Sequence, residues 1–201
     1  MPTGRNMSSL FVGTVVGLGI SACLSVLAVS AQTEDKHPVV VLETSMGAIT
    51  IELDREKAPI TVENFVKYVD SGFYDNLIFH RVMSDFMIQG GGFDQQMHEK
   101  TEGQRGEIKN ESGNGLSNKK GTIAMARLPA PDSAQNQFFI NVEDNERLDT
   151  SGGGYAVFGK VTDGMDVVNK IRRVKTTTRA GMANVPVDPV IIRSAKRKAK
   201  K

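Results

Sequence analysis

Short runs of β-forming residues, separated by turn residues, constrain the fold of this chain more than any other feature. Gly, Asn and Asp separate most of these runs, and only two segments show helical periodicity. The pattern predicts a mainly β protein, either a closed antiparallel barrel or a sandwich, between which periodicity does not choose. The predicted strands are residues 39–43, 48–53, 77–82, 86–89, 122–127, 138–142, 155–161 and 190–193.

Two segments carry the spacing of amphipathic helices. The first follows Pro59, has Thr61 as its predicted N-cap and ends at Gly72. Its apolar stripe has the spacing i, i+3, i+4 and i+7 and consists of Val62, Phe65, Val66 and Val69. The second helix is predicted over residues 165–174 and ends in basic side chains, as the helix dipole favours.

Residues 1–31 differ in composition from the rest of the chain. One positive residue, Arg5, precedes the uncharged run 10–29, and small residues follow it up to Ala31. This order predicts a cleavable secretory signal. The run is also long enough to span a bilayer as an uncleaved anchor, and the Ile-Ser-Ala-Cys sequence ending at Cys23 resembles the signal of bacterial lipoproteins. All three alternatives predict an exported, for example periplasmic, protein.

After this segment we expect a linker over residues 32–37, a folded domain over 38–195 and a basic tail over 196–201. The net charge of +2 is too balanced to indicate a nucleic-acid-binding surface. A single cysteine excludes a disulfide within the chain, and three scattered histidines argue against a catalytic metal centre. We therefore expect neither a metal nor a cofactor.

A binding pocket is indicated by residues 73–91, FYDNLIFHRVMSDFMIQGG. If residues 77–82 form one strand, Arg81 shares a face with Leu77 and Phe79, where a guanidinium is costly unless it has partners or a ligand. Phe86 and Gln89 follow closely, and apolar side chains with one charged donor and one amide are typical of a small pocket. A structural arginine lying over core aromatic rings explains this pattern equally well.

Several motifs in this order resemble the cyclophilins, which are peptidyl-prolyl cis–trans isomerases. They are FHRV and FMIQGG within residues 73–91, then GTIAMA at 121–126, NQFFI at 136–140, Leu-Asp at 148–149, VFGKV at 157–161 and GMDVV at 164–168. The resemblance covers residues 38–194 and is closest to the exported bacterial branch. It implies a closed eight-stranded antiparallel β-barrel capped by two α-helices, with the active groove on its outer face.

The resemblance also implies roles for individual residues. Arg81 and Gln89 match the catalytic arginine and its neighbouring glutamine, while His80 matches the signature but is expected to support the strand. The expected proline pocket is formed by Phe86, Met87, Phe139 and Leu148. The remaining substrate-binding positions of the groove match Ala126, Arg127, Gln137 and Tyr155.

Three positions depart from the best-known cyclophilins. Arg147 stands where they carry a tryptophan that helps to bind cyclosporin, so we expect weak cyclosporin binding. Tyr155 stands where they carry a histidine. Arg127 replaces an asparagine, and we expect its side chain to add a charge at the rim of the groove.

The implied reaction is rotation about the peptide bond before proline, in which no covalent bond breaks. Both isomers of this tertiary amide are populated, but they interconvert slowly because amide resonance sets a barrier of roughly 18–20 kcal/mol. A guanidinium aimed at the nitrogen of the twisted amide would lower that barrier, so no nucleophile is required. The expected partners are polypeptides containing X–Pro bonds, and the expected state is a monomer. The alternative is a proline-binding chaperone or scaffold with little turnover.

Overall fold

A nine-stranded antiparallel sheet, strongly curled into a half-barrel, dominates residues 35–199, the part of the chain that the computed structural model describes. Its strands follow the order β3-β11-β1-β2-β8-β6-β7-β5-β4, and a separate hairpin is formed by β9 and β10. The strands are β1 (Val39–Thr44), β2 (Gly47–Leu53), β3 (Leu77–Ile78), β4 (Arg81–Met83), β5 (Met87–Gly90), β6 (Thr122–Met125), β7 (Phe138–Asn141), β8 (Val157–Asp163), β9 (Thr176–Arg179), β10 (Met182–Pro186) and β11 (Ile191–Arg197). The helices are α1 (Pro59–Asp70) and α2 (Met165–Ile171).

The mainly β class with two helices is confirmed, but the closed eight-stranded barrel is wrong. The sheet has nine strands, and its edge strands β3 and β4 do not pair with each other. They follow one another along the chain, separated only by Phe79 and His80. The amides of this segment bond elsewhere, that of Ile78 to the Phe93 carbonyl (2.9 Å) and that of Phe79 to the Val190 carbonyl (2.9 Å). Because these amides bond elsewhere, no ladder of main-chain hydrogen bonds joins β3 to β4, and the barrel stays open.

The same interruption changes the expected surroundings of Arg81. Residues 77–82 are not one strand, and the prediction that Arg81 shares a face with Leu77 and Phe79 is wrong. Leu77 and Phe79 belong to the main hydrophobic core, whereas the guanidinium of Arg81 lies against Met83, outside that core. Strict alternation holds only along an unbroken strand.

Helix α1 begins at Pro59, after the N-cap residue Ala58. The predicted N-cap Thr61 is wrong, because Pro59 occupies the first helical position that proline favours, and Thr61 lies inside the first turn. The carboxylate of Glu111 accepts hydrogen bonds from the amides of Ile60 (3.0 Å) and Thr61 (2.7 Å) and from the Thr61 hydroxyl (2.7 Å). A distant segment therefore supplies the negative group that the helix N-terminus attracts.

The main core fills the space between α1 and the concave face of the sheet. The predicted stripe of α1 is buried there, and the Phe65 ring packs at 5.2–5.4 Å from the rings of Tyr74, Phe138 and Phe158. Helix α2 adds Val168 and Ile171 to the same core.

Two further regions bear on the predictions from sequence. The last strand, β11, extends to Arg197, four residues beyond the predicted end at residue 193. Residues 1–34 lie outside the described part of the chain, so the proposed signal, anchor or lipid attachment at Cys23 remains a prediction. Within residues 35–199, no helix combines the length and the hydropathy needed to cross a membrane.

Candidate active site

Alternate residues of β4, β5, β7 and β6 face opposite sides of the sheet. Cross-strand pairing aligns them into two adjacent rows. The inner row faces the main core and consists of Val82, Ile88, Ile140 and Ile123. The outer row faces the opposite side and consists of Arg81, Gln89, Phe139 and Ala124.

Arg81 and Gln89 are direct cross-strand neighbours at one end of the outer row, and both are half-buried. The Nη2 atom of Arg81 lies 3.3 Å from the sulfur of Met83, and no carboxylate within residues 35–199 forms an ion pair with Arg81. The amide of Gln89 donates to the side-chain oxygen of Gln137 at 2.9 Å. The charged group is thus held beside the sheet without a neutralising partner among the described residues.

A second apolar cluster, the outer cluster, adjoins these polar groups on the outer face. Its buried members are Met87, Ala124, Phe139 and Val157. The half-buried side chains packed against it are Met83, Phe86, Leu116, Ala126, Leu148 and Tyr155. The structure therefore brings together all four residues of the expected proline pocket, together with Ala126 and Tyr155.

Four members of this cluster, Met83, Leu116, Ala124 and Val157, were missed from the sequence. Met83 lies two residues from Arg81 and pairs with Met87, so strict alternation could have identified it. Val157 is the cross-strand partner of Ala124, at a point where the register shifts. Leu116 comes from the polar segment 93–121, and no local pattern indicated its position.

His80 is fully buried beside the ring of Phe93, with ring centroids 4.7 Å apart. Neither of its ring nitrogens makes a well-formed hydrogen bond within residues 35–199, although the main chain of Ile78 partly opposes the loss of the imidazole's proton. Burial, assisted by the positive charge of Arg81, lowers the pKa of His80 to about 4. The imidazole is therefore neutral near pH 7 and adds no second charge next to Arg81.

Leu148 and Tyr155 occupy the two ends of a turn that the polar segment 93–121 holds in place. The carboxylate of Asp149 accepts hydrogen bonds from the Ser117 hydroxyl (2.5 Å) and from the amide and side chain of Asn118 (both 2.8 Å). Burial alone would raise the pKa of Asp149, but these bonds outweigh it and hold the pKa below its usual value. Residues of the segment 93–121 thus hold the turn that carries Leu148 and Tyr155.

The side chain of Arg127 has different surroundings from those expected. Its guanidinium carbon lies 4.3 Å from the centre of the Tyr155 ring, and its nitrogens donate to main-chain carbonyls of neighbouring loops. The Tyr155 ring in turn meets the Phe139 ring edge-on at 5.9 Å. Arg127 is therefore engaged within the protein at the rim of the outer cluster.

Residues 35–199 contain no group of three or more His, Cys, Asp or Glu side chains placed to hold a metal ion. The arrangement offers a partly exposed apolar cluster bordered by one charged donor and two side-chain amides. Such a site binds a small apolar group and orients a neighbouring polar bond.

Comparison with known proteins agrees with this description. The family model for cyclophilin-type peptidyl-prolyl cis-trans isomerases matches residues 39–197. A peptidyl-prolyl cis-trans isomerase of Streptomyces antibioticus is 55% identical over 162 residues, covering 78% of this chain and 96% of the relative. Peptidyl-prolyl cis-trans isomerase B of Escherichia coli is 52% identical over 162 residues, covering 78% and 97%.

A solved structure shares the fold. A crystal structure of a cyclophilin-type peptidyl-prolyl cis-trans isomerase from Cryptosporidium parvum matches with a TM-score of 0.70 at 26% identity, covering 82% of this chain and 99% of that one. The same protein in the presence of the dipeptide Ala-Pro matches with a TM-score of 0.68 at 27% identity, covering 81% and 99%. The chain described here therefore belongs to the cyclophilin family and is a peptidyl-prolyl cis–trans isomerase.

Proposed function

We propose that this enzyme isomerises X–Pro bonds of exported polypeptides at the outer face of the sheet, with Arg81 as the catalytic donor. The observation that carries the assignment is the half-buried guanidinium of Arg81, which borders the outer cluster and has no ion-pair partner within residues 35–199. An unpaired guanidinium beside apolar side chains is costly, and a substrate that accepts its hydrogen bond offsets that cost.

The chemistry follows from the electronic structure of the amide. Planarity is favoured by delocalisation of the nitrogen lone pair, and rotation localises that pair on nitrogen. A donor directed at the nitrogen stabilises the twisted state more than the planar one, which is the requirement for catalysis. Arg81 remains protonated at physiological pH and presents a rigid set of donors.

The outer cluster is suited to hold the proline ring while the preceding carbonyl rotates. Met87 and Phe139 form its buried floor, and the half-buried Phe86 and Leu148 border it. Water favours the planar amide. A proline ring held in the outer cluster is shielded from water, so this stabilisation of the planar state is reduced. The side-chain amide of Gln89 is oriented by its hydrogen bond to Gln137. We propose that Gln89 binds the main chain of the substrate.

The test is isomerase activity on an X–Pro tetrapeptide, measured by NMR exchange so that no coupling protease is needed. We expect catalysis by the wild type and, for Arg81→Ala, a fall in kcat/KM of about 10²–10³-fold, the usual effect of removing one transition-state donor. Arg81→Lys retains the positive charge but lacks the planar set of donors of a guanidinium, and we expect it to recover only part of the rate. An Arg81→Ala variant that is folded and fully active would remove Arg81 from the mechanism.

A binding module with little turnover is the second candidate, favoured by the exposed Arg147 and by Tyr155, which stand at two of the three positions that depart from the best-known cyclophilins. The same assay separates the two functions. Tight binding of the tetrapeptide, with wild-type exchange no faster than that of Arg81→Ala, would identify a binder.

The exported location is part of the proposal and rests on residues 1–31. Mass spectrometry of the protein from its native cells tests it directly. A mature chain beginning at Gln32 would support secretion, an intact N-terminus would indicate an anchor, and a lipid-modified Cys23 at the N-terminus would indicate a lipoprotein. An intact N-terminus on a chain recovered from the cytoplasm would contradict export.

Weak cyclosporin binding is expected because the exposed Arg147 offers the apolar cyclic peptide a charge next to Leu148. We expect Arg147→Trp to lower the Kd for cyclosporin about tenfold, which corresponds to about 1.4 kcal/mol, with little change in kcat/KM for the tetrapeptide. An unchanged Kd would show that position 147 does not control this affinity.

Light scattering during gel filtration tests the proposed monomeric state.

A further inference from the structure

We infer that Arg127 is a positioning residue. It holds the glycine-rich turn, residues 151–154, and the Tyr155 ring in the geometry that the substrate groove requires. The inference rests on the proposed function, because it assumes that the substrate binds against the outer cluster. In this role the side chain of Arg127 contacts other parts of the protein and does not contact the substrate.

The first observation is that the guanidinium is saturated by main-chain acceptors. Arginine has five N–H donors in a fixed planar fork, and the fork of Arg127 makes five hydrogen bonds. All five acceptors are main-chain carbonyl oxygens, those of Leu128 (2.9 Å), Pro129 (3.3 Å), Ser151 (3.2 Å), Gly152 (2.7 Å) and Gly154 (3.0 Å). A side chain bonded in this way is not available to a substrate.

The second observation is the conformation of the turn itself. Gly152, Gly153 and Gly154 all have positive φ angles, of 60°, 93° and 80°. This backbone directs carbonyls towards Arg127 and towards Asn110, whose side chain donates to Gly153 and Gly154 at 3.0 Å. Three successive glycines without such donors would be flexible, because glycine loses the most conformational freedom on ordering.

The third observation links the turn to the site. Tyr155 directly follows the turn, and the centre of its ring lies 4.3 Å from the guanidinium carbon of Arg127 and 5.9 Å from the centre of the Phe139 ring. A guanidinium over an aromatic face is favourable, and the planar fork combines this contact with the carbonyl bonds. Arg127 therefore determines the position of Tyr155 from two directions, through its ring and through the preceding backbone.

A double-mutant cycle between Arg127 and Tyr155 tests this inference. We expect Arg127→Ala and Tyr155→Ala each to raise KM for the tetrapeptide about fivefold with kcat nearly unchanged. In the Tyr155→Ala background, Arg127→Ala should have less than about a twofold further effect, because residues that act through one another are not additive. A purely structural role would instead lower the folded fraction, and with it the apparent kcat, at constant KM.

A matched control uses the arginine over another tyrosine ring. The guanidinium carbon of the exposed Arg105 lies 5.8 Å from the centre of the Tyr68 ring, and the contact is part of neither the outer cluster nor the outer row. Arg105→Ala removes the same charge and the same type of contact, and we expect KM to stay at the wild-type value. If Arg127→Ala does not fold, Arg127→Asn, with the residue that the best-known cyclophilins carry there, replaces it in the cycle.

Hydrogen exchange gives a second readout. The amides of Gly154 and Tyr155 donate to the carbonyls of Ser151 (3.0 Å) and Leu148 (2.9 Å), and we expect both amides to exchange faster in the Arg127 variant than in Arg105→Ala. Additive effects on KM, or unchanged exchange, would overturn the inference. These outcomes differ from failure of the proposed function, which would appear as full activity of Arg81→Ala in the same assay.

Discussion

The two faces of strands β4, β5, β7 and β6 are built from adjacent residues but differ in what they contain. On the inner face, cross-strand partners are aliphatic and at most 2% exposed, and they join the core that includes α1. On the outer face, the row begins with half-buried Arg81 and Gln89 and ends with buried Phe139 and Ala124. The inner row thus contributes to stability, while the outer row combines apolar burial with polar groups that remain accessible.

The difference lies in what covers each face. The two helices and the curled sheet exclude water from the inner face. Any polar group placed there would therefore lose its hydrogen bonds to water, which costs free energy. The outer cluster is covered by turns, which Asp149 and Arg127 hold by hydrogen bonds to main-chain groups. Coverage by turns is partial, so several apolar side chains of the outer cluster stay half-exposed beside a charged donor.

The largest expected effect on stability is at the inner row. Ile140 is fully buried and pairs with Ile88 and Ile123, so Ile140→Ala should lower the free energy of unfolding by about 2–5 kcal/mol. Activity per folded molecule should stay within about twofold of the wild type. Urea unfolding and NMR exchange measure the two quantities, and a stable variant with low activity would contradict the division between the faces.

The next effect concerns the buried imidazole behind Arg81. The pKa of His80 is lowered from 6.5 to about 4 in the folded state, so between these values the unfolded chain binds more protons. Stability should therefore be unaffected by His80 above pH 6.5 and should fall as the pH drops, by about 3 kcal/mol at pH 4. The wild type should lose more stability between pH 7 and pH 4 than His80→Gln does, as measured by urea unfolding. Equal losses would show that another group carries the pH dependence.

The smallest expected effect is at the edge of the outer cluster. The ring of Phe86 is half-buried there, while its carbonyl bonds to Val142 and Asn145 independently of the ring. Phe86→Ala should raise KM about tenfold, equivalent to about 1.4 kcal/mol of binding, and should lower the free energy of unfolding by only about 1 kcal/mol. A loss of stability as large as that of Ile140→Ala would place Phe86 in the core and break the distinction between the faces.

Much of the fold was predictable from periodicity, because β1, β2 and β5 to β8 coincide closely with predicted runs. The hairpin of β9 and β10 was missed, since it is rich in polar residues, Thr176–Arg179 above all, and its strands bury few side chains. The proximity of Arg81 to Phe86 and Met87 was readable along the chain. The proximity of Phe139 and Leu148 to Arg81 was predicted only from the resemblance, because strand pairing places Phe139 there and the segment between β7 and β8 places Leu148.

By itself, the sequence determined the β-rich class, the succession of turns and the motifs that resemble a prolyl isomerase, because these depend on residues close together along the chain. The tertiary structure decided that the sheet remains open between β3 and β4, that Arg81 lies on the outer face, and that Arg127 bonds to the glycine-rich turn. Each of these outcomes depends on hydrogen bonds between distant main-chain groups. Such groups are chemically alike at every residue, so local sequence patterns do not specify which of them will pair.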